Sequence, residues 1–256
     1  MRGEVEGRRT DRLNWSCGSL GEARGTELRV GRRTVRFYEH GGVKMRRVVD
    51  IIFGASCLVT LSPILAGIAA AVRLDSPGPA IFTQTRVGYG GELFEMHKFR
   101  TMQQGALGPS ISPAGDPRVT RVGRVLRATK LDELPQFYDV LRGKMTLVGP
   151  RPEVDHYMRY HSPEDRRCIL SVRPGLTDPA TLLYVNESDE LACADEPERH
   201  YVESILPRKA EIYVRYIREQ SPRRDMWILA RTALTMARRS VGVLRQGSEQ
   251  GGRRES

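Results

Sequence analysis

The chain predicts an α+β protein: a small, mostly helical cytosolic domain with one short β-hairpin, anchored by an N-terminal re-entrant membrane segment. Three observations predict it. An apolar run at 48–72 is interrupted near its middle by Ser62-Pro63. Strand-like Ala80-Ile81-Phe82-Thr83-Gln84 leads through glycine-rich Val87-Gly88-Tyr89-Gly90-Gly91 into Leu93-Phe94-Glu95-Met96, a hairpin pattern. Beyond that, apolar residues recur at helical spacing between prolines and glycines, predicting helices at about 118–130, 133–142, 152–160, 163–170, 197–219 and 225–239. The chain of 256 residues suits one domain plus an appendage, with enough length to bury a real core.

The two ends differ from the middle. Residues 1–47 hold twelve basic and six acidic side chains and residues 231–256 hold six and two, so the net +10 lies in the ends and 48–230 is balanced. A nucleic-acid reader would carry its basic stripe on the folded domain, so no nucleic-acid partner is expected. Basic ends beside an apolar anchor suit an anionic lipid surface. Residues 1–43, rich in Arg and Gly without apolar periodicity, read as a disordered extension, and 241–256 as a disordered tail. The start lacks the apolar stretch and cleavage site of a signal peptide, so no export is expected. Cys17, Cys57, Cys168 and Cys193 are scattered, which favours free thiols over a zinc site.

Residues 44–74 form the membrane segment. The run at 48–72 is long enough to cross a bilayer, but proline removes a backbone bond and kinks a helix, and both flanks are basic: Lys44, Arg46 and Arg47 before, Arg73 after. Two arms of about 14 and 10 residues reach only roughly 21 and 15 Å at helical rise. A helix that enters and leaves on one face fits; a straight crossing is the rival. Asp50 is expected to cap the first arm or to pair with Arg46 or Arg47. Ser76-Pro77-Gly78-Pro79 then separates the anchor from the domain, residues 75–240. Residues 103–115 lack periodicity and read as a loop. The final helix carries Met226, Trp227, Leu229, Ala230, Leu234 and Met236 with Arg231, Arg238 and Arg239, and suits either the lipid interface or packing on the domain.

The chemistry concentrates in the run Leu126-Arg127-Ala128-Thr129-Lys130-Leu131-Asp132-Glu133-Leu134-Pro135-Gln136. Asp132 is a good N-cap, and Pro135 in the first turn loses no bond. Apolar Leu134, Phe137, Tyr138 and Leu141 give that helix a packing face and leave the carboxylates at an exposed tip. An isolated Asp-Glu pair would be no more than an acidic cap on the helix dipole. Lys98 and Arg100 flank Phe99 on one predicted strand face and can grip phosphate, and Arg127, one turn before the pair, can do the same or lie on the surface. Arg118, Arg121 and Arg124 recur at about a turn, as a solvated basic face also would. Prolines on both sides of Arg151 restrict its movement. Gln136 points the same way as the carboxylates, and His97 reads as a packing residue.

Five blocks in order carry a resemblance: Gln84-Thr85-Arg86-Val87-Gly88, Lys98-Phe99-Arg100-Thr101-Met102, Asp116-Pro117-Arg118-Val119-Thr120-Arg121-Val122-Gly123, the Asp132-Glu133 run, and Val148-Gly149-Pro150-Arg151-Pro152. From about Lys44 to Arg239 the chain resembles the bacterial sugar transferase family, monotopic phosphoglycosyl transferases that begin glycan assembly on a polyprenyl phosphate. The resemblance implies a re-entrant helix kinked at Ser62-Pro63 in the bacterial inner membrane, with the catalytic domain on the cytoplasmic face. It implies a UDP-sugar donor, an undecaprenyl phosphate acceptor within the membrane lipid, and Mg²⁺. It makes Asp132 the nucleophile, Glu133 a catalytic residue and metal ligand, and Arg151 a contact to the nucleotide side of the donor. A covalent aspartyl-phosphosugar and release of UMP follow. Where relatives continue Pro-Gly-Leu-Thr with small and amide residues, this chain has Asp178-Pro179-Ala180-Thr181-Leu182, which leaves the sugar open. The alternative is an inactive membrane-surface scaffold of the same fold, which a spoiled carboxylate pair or cation set would indicate; neither is seen.

Overall fold

The computed structural model describes residues 27–30, 33–36, 40–106, 108, 111–184 and 186–252. Most of the expected 1–43 extension, with Cys17, lies outside them. Within that extension β1 (Glu27–Val30) and β2 (Arg33–Arg36) pair antiparallel.

Helix α1 (His40–Thr60) and helix α2 (Ser62–Asp75) bend by 62° at Leu61. The cause is local. Pro63 has no N–H to give the carbonyl of Val59, and the Ser62 hydroxyl donates to that carbonyl instead at 2.8 Å. Among the described residues no single helix is long and apolar enough to cross a membrane; the bent pair taken together has the length and composition of a broken span or a re-entrant loop. Val48, Val49, Ile51, Ile52, Phe53, Val59 and Ile64 are exposed.

The opposite face of α1 is bound to the domain. Arg46 donates to the carbonyl of Val148 at 3.1 Å and lies 2.9 Å from the Asp225 carboxylate. Arg47 donates to the carbonyls of Val140 and Leu141 at 2.5 and 2.7 Å. Asp50 neither caps the arm nor pairs with Arg46 or Arg47: it is buried and accepts from the Thr146 hydroxyl at 2.7 Å and the Leu147 N–H at 3.1 Å. The expectation failed because partners distant in sequence meet this helix face.

Strands β3 (Ile81–Val87) and β4 (Leu93–Phe99) form the expected hairpin, longer than the strand-like stretches, with Gln84 opposite Met96. Phe94 and Met96 alternate into the core. Helix α3 (Arg121–Thr129) is capped by the Thr120 hydroxyl, which accepts from Gly123 N–H at 3.0 Å. Gly123 has to be glycine: a Cβ there would sit 2.1 Å from the Thr101 carbonyl oxygen. Helix α4 (Gln136–Leu141) precedes β5 (Thr146–Val148). After α5 (Asp155–Met158) and α6 (Pro163–Leu170), β6 (Gly175–Thr177) lies parallel to β5, a pairing too short to show as a period in sequence.

Helices α7 (Pro179–Leu183) and α8 (Glu187–Ala192) were not expected. Helix α9 (Pro197–His200) continues through a π-helical turn, Tyr201–Ile205, into α10 (Leu206–Arg218). Helix α11 runs Pro222–Gly252, past the expected end at 239 and through most of the stretch read as a tail. Its Ile228 and Thr232 are buried while Met226, Trp227 and Leu234 face outward, so one side packs and the other is open. The main core gathers Phe94 and Met96 with Phe137, Val140, Met145, Leu147, Tyr216, Ile217 and Ile228.

Candidate active site

The carboxylate pair sits on a sharp local break. Helix α3 ends at Lys130, whose left-handed backbone (φ 61°) is the only positive φ outside glycine among the described residues. A 3-10 turn, Leu131–Glu133, follows, and Pro135 precedes α4. Asp132 is therefore not an N-cap, and Glu133, Leu134 and Pro135 are not a first helical turn. The expected exposed tip is also corrected: Asp132 and Glu133 are each only 8% exposed. Lys130 turns the chain inward, which the apolar spacing after it does not reveal.

The two carboxylates face different surroundings. Glu133 is gripped by Arg151, with contacts of 2.6 and 3.3 Å, and Lys130 lies 3.9 Å away. Burial would raise its pKa, but the Arg151 and Lys130 charges override that and hold it well below the usual range. Asp132 is displaced the other way. Burial, then the Glu133 charge, raise its pKa, with Lys130, Lys98 and Arg127 opposing. Its Oδ1 is buried without a hydrogen-bond partner. Adjacent carboxylates with opposed shifts are suited to different roles.

Arg151 is held in place by the β5–β6 ladder. Gly149 N–H donates to the Thr177 carbonyl at 3.0 Å and Gly175 N–H to the Pro150 carbonyl at 2.9 Å. A Cβ on Gly149 would lie 2.6 Å from the Arg173 carbonyl oxygen, so the turn into Arg151 closes only over glycine.

Of the other sequence candidates, Lys98 and Arg127 join the site and Arg100 does not. The Lys98 amine lies 5.4 Å from the Phe82 ring centroid, and burial, then Arg86, push its pKa down to about 8. Arg127 donates to the hydroxyls of Thr101 and Ser112 at 2.8 and 2.7 Å. Arg100 follows the end of β4 and is 5% exposed. Its guanidinium donates to the carbonyls of Ser76 at 2.7 Å, Val72 at 3.3 Å and Pro77. It ties down the C-terminal end of α2, where orphan carbonyls need donors, instead of facing phosphate. Gln136 is buried, with its side-chain amide nitrogen unpartnered. Ser62 and Pro63 stand at the helix break. Arg118 is paired with Asp116 at 2.6 Å, and His97 with Asp139 at 2.7 Å.

Sequence reasoning missed four groups beside Arg151. Asp178 caps α7, accepting from Thr181 N–H at 2.8 Å, and is 1% exposed. Glu187 and Lys209 form an ion pair at 2.5 Å, and Tyr213 has a buried hydroxyl without a partner. The signal was present: Lys209 interrupts the apolar face Leu206, Ala210, Tyr213, Tyr216 and Ile217 of α10, where a lysine is out of place unless paired.

Among the described residues no three His, Cys, Asp or Glu side chains are grouped to hold a metal. Two adjacent carboxylates, one with a buried free oxygen, do suit a hard cation that draws its remaining ligands from water and phosphate. A carboxylate pair set among Lys98, Lys130, Arg127 and Arg151 is the donor set of a phosphate-group transferase.

Comparison with known proteins agrees. The bacterial sugar transferase family matches residues 42–239. A UDP-glucose:undecaprenyl-phosphate glucose-1-phosphate transferase of Caulobacter vibrioides is 39% identical over 191 residues, 73% of this chain and 67% of that protein. The Escherichia coli K12 protein of the same name is 39% identical over 182 residues, and the match spans 69% of this chain and 37% of that protein. A UDP-N-acetylgalactosamine-undecaprenyl-phosphate N-acetylgalactosaminephosphotransferase of Aeromonas hydrophila is 38% identical over 169 residues, 63% of this chain and 40% of that protein. The chain belongs to the bacterial sugar transferase family.

Proposed function

We propose that this protein transfers a sugar-1-phosphate from a UDP-sugar to undecaprenyl phosphate, releasing UMP, through a covalent aspartyl-phosphosugar. The observation that carries the reading is the Asp132 carboxylate: buried, with one oxygen unpartnered, beside a Glu133 already neutralised by Arg151. A carboxylate oxygen in that setting is a competent nucleophile. It attacks the sugar-linked phosphorus; the bond from that phosphorus to the bridging oxygen breaks, and UMP leaves with the electron pair. An oxygen of the polyprenyl phosphate then attacks the same phosphorus, and Asp132 departs as a free carboxylate. Lys98, Arg127 and Arg151 neutralise phosphate oxygens in both steps. Glu133, with Asp132, would hold Mg²⁺, which when bound offsets the charge of the diphosphate.

The bent α1–α2 pair, with its exposed apolar face, supports a re-entrant anchor in the bacterial inner membrane and a catalytic domain on the cytoplasmic face. Polyprenyl phosphate would then reach the site from the lipid, as the first membrane step of exopolysaccharide, O-antigen or glycoprotein assembly. The test is mass spectrometry of protein quenched during turnover. The phosphosugar mass is expected on the peptide bearing Asp132 and is expected to vanish, with UMP release, in Asp132→Asn. UMP release by Asp132→Asn at the wild-type rate would refute the mechanism.

A further inference from the structure

We propose that a cavity of about 180 Å³ beyond Arg151 is the pocket that reads the donor's sugar ring, with Glu187, Lys209 and Tyr213 as its specificity-determining residues. The inference rests on the transferase reading above and goes beyond it by naming the groups that distinguish one sugar from another.

The cavity adjoins the carboxylate pair, since Lys130 and Arg151, which both contact Glu133, are among its lining residues. These two cations are suited to the donor's diphosphate. Elsewhere in the lining the character changes. There the Lys209 amine is paired with Glu187 at 2.5 Å, and Lys209 is 5% exposed. A charge-balanced pair offers a phosphate little net attraction, but it presents acceptor and donor side by side, the arrangement that neighbouring sugar hydroxyls satisfy. The ligand class is therefore a neutral pyranose with a vicinal diol.

Tyr213 supplies a second, independent observation. It is 1% exposed, lines this cavity, and its hydroxyl has no hydrogen-bond partner. A buried phenol left unpaired is unfavourable unless a ligand completes it. Leu182 and Met236 give the same cavity an apolar side for the C–H face of a ring. The volume is below that of drug-sized pockets, about 300 Å³ and upward, so it takes one ring rather than a nucleoside and a sugar together.

The experiment is calorimetric titration of full-length protein in detergent with UMP, UDP, UDP-glucose, UDP-galactose and UDP-N-acetylgalactosamine, alongside UMP release with undecaprenyl phosphate. Tyr213→Phe is the main variant, because it removes a hydroxyl that holds nothing in the protein. It is expected to weaken the preferred UDP-sugar about fivefold, and Glu187→Gln about twentyfold, with UMP and UDP unchanged. Equal weakening of UMP and UDP would overturn the proposal by assigning the cavity to the uridine. Wild-type affinities throughout both variants would overturn it as well. Sugar-specific weakening without UMP release from wild type would sustain the pocket and sink the transfer reaction. Wild-type protein that binds no UDP-sugar would sink both.

Discussion

Arg100→Ala separates two roles for one cation. In sequence it belongs with Lys98 as a phosphate ligand; in the structure its guanidinium holds the end of α2 through the carbonyls of Val72, Ser76 and Pro77. Hydrogen bonds from a charged donor are worth about 1.5–3 kcal/mol each. The 3.3 Å contact to Val72 counts for little, and Pro77 is exposed enough for water to replace the lost donor. Truncation is therefore expected to cost about 2–4 kcal/mol, chiefly from Ser76 and the packed arginine stem. For a domain of this size that lowers the unfolding midpoint by about 5–15 °C. Arg100→Lys should recover part of the loss, since one ammonium cannot reach all three carbonyls. The assay is thermal unfolding in detergent, paired with the KM for the UDP-sugar. A midpoint within about 2 °C of wild type, together with a tenfold rise in KM, would refute the structural role and return Arg100 to the phosphate.

Other outcomes follow from the same geometry. The Lys98 amine titrates near pH 8, so UMP should bind progressively more weakly as pH rises through that value, while Lys98→Arg should bind with a flat profile; matching profiles would exclude Lys98 from the phosphate. The stability effect has the opposite sign: between pH 8 and 10.5 the unfolded chain binds more protons than the folded one, so this group makes folding more favourable as pH rises. Lys130→Gly relieves a left-handed backbone and should leave stability equal or higher by about 1 kcal/mol, yet raise the donor KM several-fold by removing the cation 3.9 Å from Glu133. Unchanged KM would show that Lys130 serves the turn alone. Gly123→Ala would drive a methyl into the Thr101 carbonyl and should destabilise by about 2 kcal/mol or more; a neutral effect on thermal unfolding would mean α3 can slide away from Thr101.

How much of this was legible in sequence depends on the range of the interaction. The Ser62-Pro63 break and the β3–β4 hairpin come from local chemistry, a missing N–H and paired glycines, and both appear as expected. Asp132, Glu133, Lys98, Arg127 and Arg151 were singled out together because five blocks recur in one order. Their burial was not legible, because it depends on a single left-handed residue, Lys130, to which no spacing rule applies. Arg100 was misassigned by alternation along a strand that stops at Phe99, one residue earlier. Asp50 and Arg46 were given neighbours in sequence, whereas their partners, Thr146 and Asp225, lie 96 and 179 positions away. The β5–β6 pair, three residues a side, is too brief for any period to reveal. Helix α7 was within reach: Asp178 followed by proline is a helix start signal.

The attachment of α1 to the domain has a mechanical consequence. Arg47 grips the end of α4, which follows directly on the Asp132-Glu133 turn, and Asp50 grips β5, which runs directly into Arg151. Any tilt of α1 is thus delivered as leverage to both sides of the Glu133–Arg151 contact. With α1 seated in lipid as proposed, bilayer thickness and curvature become inputs to the chemistry, and the same protein should turn over at different rates in thin and thick membranes.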